Sequence, residues 1–153
     1  VINQPQLLIA DEPTTALDVS IQSQLIQLLL KLRNQLNMSI LMISHDLPLI
    51  SQIADHINIM YCGKIVESAP TTALLSHPLH PYTQGLLFSL SSSSAKWERI
   101  PVIEGNICDP SHKPSGCYFH PRCPKATSLC RNEYPALLEY ENRHVTSCHH
   151  VSD

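Results

Sequence analysis

Glycine is scarce, with 4 residues in 153, at positions 63, 85, 105 and 116. None stands in a Gly-x-x-x-x-Gly-Lys-Ser/Thr run, the loop whose backbone amides and lysine cradle nucleotide phosphates. The sequence as given therefore carries no phosphate cradle of that kind. Long apolar runs are missing too. The densest are four residues, such as 7–10 and 40–43, where a membrane helix needs about 20. Basic charge is not in excess: 10 Lys and Arg stand against 13 Asp and Glu, for a formal charge of −3. That balance gives no electrostatic footprint for nucleic acid or an anionic membrane. Aromatic residues make up only 5%. No basic-then-apolar leader begins at Val1, so a soluble, cytosolic chain is expected. Val1 is not methionine, and an apolar run starts almost at once, which reads as a chain entered in mid-domain.

What is present is unevenly placed. Hydrophobic residues reach 43%, enough for a core, and 12 prolines suggest rigid connections. Of six cysteines only Cys62 precedes residue 100, and five of nine histidines share the last third with the rest. Residues 1–95 hold three basic and six acidic side chains, whereas 96–153 hold seven of each. Ser91-Ser92-Ser93-Ser94 lies between and reads as a flexible polar linker. The expected organisation is a regular unit over 1–90, a linker over 91–96 and a small irregular unit over 97–153.

The first unit reads as α/β. Leu7-Leu8-Ile9-Ala10, ending in Asp11-Glu12-Pro13, suits a strand buried on both faces of a parallel sheet. A helix follows, capped by Asp18, with Ile21, Leu25, Leu28, Leu29, Leu32 and Leu36 at the helical period and a stop at Asn37. Ile40-Leu41-Met42-Ile43 is a second buried strand ending in Ser44-His45-Asp46, and Asp46 can cap a short helix reaching Ala54. Residues 57–61 and 64–67 flank Cys62-Gly63 as a hairpin, and helices are expected near 70–76 and 81–90. Ligands of open α/β sheets bind at the carboxyl ends of strands, where Asp11, Glu12 and His45 stand.

Two adjacent carboxylates after a buried strand are costly unless a cation or water compensates them. Magnesium favours carboxylate and water oxygens and bridges to phosphates, so one carboxylate can hold the metal while the other orients a water, as phosphoryl transfer requires. The residues around them carry a family resemblance. Leu7-Leu8-Ile9-Ala10-Asp11-Glu12-Pro13-Thr14-Thr15-Ala16-Leu17-Asp18 resembles the Walker B and D-loop segment of ABC-transporter ATPases, and Met42-Ile43-Ser44-His45-Asp46 resembles their switch-histidine segment. The resemblance implies a magnesium-site aspartate at Asp11, a catalytic glutamate at Glu12, a γ-phosphate sensor at His45 and a contact with the partner ATPase subunit at Asp18. Tyr61-Cys62-Gly63-Lys64-Ile65-Val66-Glu67 and His77-Pro78-Leu79-His80-Pro81-Tyr82-Thr83-Gln84-Gly85 are similar to the ATP-binding subunits of oligopeptide and dipeptide importers. There Pro81 is expected to start a helix and Tyr82 to pack on the core, with His77 and His80 as metal ligands the competing reading.

The tail, with Gly116-Cys117-Tyr118-Phe119-His120-Pro121-Arg122-Cys123 and then Cys130 and Cys148, resembles the C-terminal extension of the same ATPases. Three readings of Cys117, Cys123, Cys130 and Cys148 compete. Disulfides are disfavoured in a reducing cytosol. Structural zinc usually takes tight C-x2–4-C pairs, absent here. Four thiolates around a 4Fe-4S cluster accept looser spacing, and the resemblance implies such a cluster in some members. Cys62 and Cys108 fall outside the pattern and read as incidental thiols.

Taken together, the resemblance implies the C-terminal part of a P-loop ABC ATPase domain followed by a small cysteine-rich extension. Its cofactors are ATP and magnesium. Its partners are a second ATPase subunit, transmembrane permease subunits and, indirectly, a peptide-binding protein. Its place is the cytoplasmic face of the bacterial inner membrane, as a peripheral subunit. Without the phosphate loop and the glycine-rich signature, this chain alone is expected to be inactive. The alternative expectation is a non-catalytic remnant whose stable part is an iron–sulfur or zinc module.

Overall fold

The helical period between residues 18 and 37 becomes helix α1 (Val19–Leu36), and the flanking residues fix both ends. The Asp18 carboxylate accepts the Ile21 amide at 2.9 Å, satisfying one of the amides that a helix start leaves unpaired. Asn37 closes the helix in the left-handed region at φ 51°, which asparagine tolerates better than most residues. Strand β1 (Leu7–Asp11) precedes the helix and β2 (Ser39–Ile43) follows it. The two pair in parallel, with Leu7 opposite Ser39 and Asp11 opposite Ile43. Helix α2 (Leu47–Ser51) starts where the Asp46 carboxylate accepts the Leu49 amide at 3.0 Å, with Pro48 in its first turn. The computed structural model describes residues 5–91, 103–109 and 111–151. Residues 1–54 form one compact unit and 55–153 a second.

Two expectations change in the first unit. The strands are not buried on both faces: Leu7, Ile9, Leu41 and Ile43 are between 47% and 60% exposed. A single crossover helix can cover only one face of a two-stranded sheet, and burial alternates accordingly along both strands. In α1 the covered stripe runs through Leu25, the buried Ile26, Leu29, Leu32 and Leu36, while Ile21 and Leu28 are exposed.

The second unit opens with an antiparallel hairpin, β3 (His56–Tyr61) and β4 (Lys64–Pro70). Its turn residues Cys62 and Gly63 both have positive φ, 48° and 78°, as a tight hairpin turn demands. Helices α3 (Thr71–Ser76) and α4 (Pro81–Ser91) follow. The tail contributes a 3-10 turn (His120–Arg122), α5 (Ser128–Asn132) and a second hairpin, β5 (Leu138–Glu141) and β6 (His144–Thr146).

Strand β6 pairs with β4, setting Glu67 opposite Thr146 and Ser68 opposite Val145, so the sheet runs β3-β4-β6-β5. The tail therefore shares a sheet with the β3–β4 hairpin, and contacts group residues 55–90 with the tail rather than with 1–54. The linker expected at 91–96 lies outside the described residues, apart from Ser91 at the end of α4. Strands of three and four residues are too short for a period to be read from sequence. The one local signal is Asn142-Arg143, whose φ values of 42° and 65° make the turn between them. The chain as a whole is mixed α/β.

The core of the second unit holds Ile57, Ile59, Tyr61, Val66, Leu74 and Phe119 around one fully buried carboxylate, Glu67. Its Oε1 accepts the Leu79 amide at 2.7 Å and His144 Nε2–H at 2.7 Å, and its Oε2 accepts the His80 amide at 3.0 Å. A buried carboxylate needs such donors, and the donors, once buried, need the carboxylate. Replacement of Glu67 with alanine strands three polar groups at once. Urea denaturation of Glu67→Ala is expected to show a loss of about 3 kcal/mol. A loss below about 1 kcal/mol would mean that water replaces the carboxylate there.

Candidate functional site

Parallel pairing brings the carboxyl ends of β1 and β2 side by side, and the polar residues after each strand meet there. Glu12 donates its amide to the Ile43 carbonyl at 2.9 Å, extending the pairing one residue past β1. It adopts φ 46°, a left-handed conformation that costs a non-glycine residue about 1 kcal/mol. In that conformation its side chain is engaged on both oxygens. Oε2 accepts the Thr15 hydroxyl at 2.7 Å and Oε1 accepts His45 Nδ1–H at 2.9 Å. The Thr15 hydroxyl, first, and His45, second, hold the Glu12 carboxyl below its ordinary value. The same contact with Glu12 raises the His45 imidazole above its ordinary value, since it stabilises the protonated ring. Both side chains remain open to solvent, His45 at 79% and Glu12 at 37%.

A cavity of about 140 Å3 lies beside this pair, lined by Thr14, Thr15, Ala16, Gln22, Ser44, His45 and Asp46. Its polar lining suits a ligand rich in oxygen. Asp11 ends β1 with an exposed carboxylate that makes no hydrogen bond to a described residue. The structure thus brings Glu12 and His45 together, with Asp11 next to Glu12 in the chain. Asp18 stands apart as the cap of α1, its carboxylate engaged with Ile21.

The second unit gathers the four tail cysteines. Cys117, Cys123, Cys130 and Cys148 line one narrow hollow together with His80, Pro81, Phe119, Pro135 and three further histidines. They arrive from four places: the loop before the 3-10 turn, the residue after it, α5, and the segment following β6. Cys117 N–H donates to the Cys130 carbonyl at 2.8 Å, clamping the first to the third. That approach requires Gly116, where φ is 63° and an added Cβ would lie 2.4 Å from the Cys130 carbonyl oxygen. Burial pushes the Cys117, Cys123 and Cys148 thiols up, and the neighbouring cysteines add to it. Among the described residues, no three His, Cys, Asp or Glu side chains converge on a point that could hold one metal ion. Four thiols around one hollow are nonetheless the donor set of an iron–sulfur cluster held by four cysteines.

Several placements were not legible in the sequence. Cys62 and Cys108 are disulfide-bonded rather than incidental. A pairing between residues 46 apart leaves no local trace. His80, read as a competing metal ligand, is buried, and burial pulls its imidazole down to about 4. It accepts the Tyr82 amide on Nδ1 at 3.0 Å, one residue past Pro81, the first residue of α4. The Tyr82 ring packs 4.9 Å from Tyr61 and 5.4 Å from Phe119, the core position expected of it.

The family described as Oligopeptide/dipeptide transporter, C-terminal region, matches residues 66–130. The oligopeptide transport ATP-binding protein AppD of Bacillus subtilis (strain 168) is 46% identical over 144 residues, 94% of this chain and 44% of that protein. The dipeptide transport ATP-binding protein DppD of Escherichia coli (strain K12) is 45% identical over 150 residues, 98% of this chain and 46% of that protein. AppF of Bacillus subtilis, also an oligopeptide transport ATP-binding protein, is 44% identical over 149 residues. The chain spans less than half the length of these relatives. Residues 66–130 match the C-terminal region of oligopeptide/dipeptide transporters, and nearly the whole chain is similar to part of the ATP-binding proteins of oligopeptide and dipeptide transport.

Proposed function

We propose that this chain is the C-terminal part of an ATP-binding subunit that energises peptide import across the bacterial inner membrane by ATP hydrolysis. The observation that carries the proposal is the Glu12–His45 hydrogen bond at the joined ends of two parallel strands, beside a polar cavity. Similarity over nearly the whole chain to peptide-transport ATP-binding proteins supports it. Asp11 offers an unengaged carboxylate to magnesium, which would neutralise phosphate charge when bound. Glu12, held ionised by Thr15 and His45, accepts a hydrogen bond from the attacking water and orients it. His45 donates Nδ1–H to Glu12, and because that contact raises its affinity for a second proton, Nε2 is the better able to donate to a terminal phosphate oxygen.

The sequence contains no phosphate-cradling loop, so the chain acts only when joined to a segment that supplies one. Asp18, exposed at the start of α1, faces a second ATPase subunit, and permease subunits hold the pair peripherally at the cytoplasmic face of the membrane. The peptide reaches the permease on a separate binding protein. The four tail cysteines hold a 4Fe-4S cluster, supported by the shared hollow and the all-thiol donor set; zinc, the alternative occupant, would need the thiols drawn together to one point, where no three side chains among the described residues now converge.

Three measurements test this reading. Imidazole NMR should find His45 titrating above the usual histidine value, and Glu12→Gln should return it towards that value. The stabilisation from the pair is full between the ordinary carboxylate and ordinary histidine values, fades as pH rises through the raised His45 value, and fades again as pH falls through the lowered Glu12 value. An unchanged His45 titration in Glu12→Gln would break the assigned contact.

In a protein joined to the phosphate-loop segment, Glu12→Gln should reduce ATP turnover by at least about 100-fold, with ATP still bound. Parental turnover would remove Glu12 from the water-orienting role. Finally, anaerobically purified protein should be brown and bleached by dithionite, and serine at any one of the four tail cysteines should abolish the colour. A colourless protein with one zinc per chain would transfer the same ligands to zinc.

A further inference from the structure

We propose that Cys62 and Cys108 form a redox-active pair, a site of reversible modification that exchanges with small disulfides and fastens segment 103–109 to the β3–β4 turn. The inference is independent of the nucleotide and cluster readings. The two sulfurs are joined in the structure, and their Cα atoms lie 6.1 Å apart, within the span a disulfide accepts. The other four cysteines are free thiols and line a different hollow.

Cys62 occupies an unusual place for its type. A tight hairpin turn with φ 48° favours asparagine, aspartate or glycine, and a cysteine there pays for its side chain in backbone strain. What that side chain reaches is Cys108. A second tie runs beside it, from the Cys108 amide to the Tyr61 hydroxyl at 3.4 Å. The start of the same segment is held by Arg122, whose guanidinium donates to the Ile103 carbonyl at 2.8 Å and to the Glu104 carbonyl at 3.0 Å. Opening the Cys62–Cys108 bond removes the only covalent tie between this segment and the hairpin among the described residues. Tyr61 and Arg122 are left to hold the chain that runs on to Gly116 and the tail cysteines.

Both cysteines are half-buried, within reach of a small reagent. The exchange balances without a metal. One protein thiolate attacks the small disulfide and releases one small thiol, leaving a mixed disulfide. The second protein thiol attacks that bond and releases the other small thiol. Two electrons and two protons pass from the protein thiols to the reagent, which leaves as two thiols.

The test uses the full 153-residue chain, reduced with dithiothreitol, desalted anaerobically and exposed to glutathione disulfide. After alkylation with iodoacetamide and digestion, mass spectrometry should find Cys62 and Cys108 protected and cross-linked to each other, with the bond lost again on reduction. Cleavage after Glu104 by a glutamate-specific protease in the native protein should slow on oxidation, since Glu104 is exposed and lies in the fastened segment. Cys62→Ser should leave Cys108 carrying a glutathione adduct and should abolish the slowing, and Cys108→Ser should do the converse. The proposal is overturned if both thiols stay alkylatable, if each carries its own glutathione, or if either pairs with a tail cysteine. Equal yield of the Cys62–Cys108 pair in guanidinium chloride would overturn it as well, since the fold would then not direct the pairing.

Discussion

A carboxylate shut away from water has to find its hydrogen bonds within the protein, and Glu67 finds all three of its partners in segments distant along the chain. Two are amides of the loop that leads into α4, and one is the imidazole of His144 in β6. Because bulk water does not reach a fully buried position, the loop, the strand and the tail hairpin have to arrive together to supply the donors. The pairing of β4 with β6 and the seating of His80 follow from the same requirement. The cysteine hollow inherits it, since His80 and Pro81 form part of its wall.

The first unit sets a glutamate against a histidine as well, with the opposite consequence. Glu12 and His45 meet at 2.9 Å, much as Glu67 and His144 meet at 2.7 Å, yet the first pair is open to solvent and the second is sealed. Exposure screens the attraction, so the Glu12–His45 contact contributes little to holding the unit together. Its value lies in orientation. It biases the protonation of two groups that a ligand entering the adjoining cavity can still reach.

Cysteine shows the same dependence on surroundings. In the tail, burial and mutual proximity raise thiols that share a narrow hollow, a setting that favours uncharged thiols until a positively charged centre draws them to thiolate. At the hairpin turn, Cys62 instead meets a single partner from a loop and closes a covalent bond with it. Six residues of one type thus fall into two chemical environments.

The elements of residues 5–54 were legible because each signal sits within a few residues of what it controls. Asp18 and Asn37 bound α1, Asp46 caps α2, and the polar residues after two apolar runs had to meet once the strands paired in parallel. Glu12 and His45 could accordingly be read as one site from the order of residues. The sequence alone also determined that basic residues do not outnumber acidic ones and that no phosphate loop occurs in it. The tertiary structure decided the rest. Glu67 and His144 are 77 positions apart, and Cys62 and Cys108 are 46 apart. Nothing local marks either as a partner of the other. Which buried group meets which is set by closing long loops around a shared core, and only the folded chain contains that information.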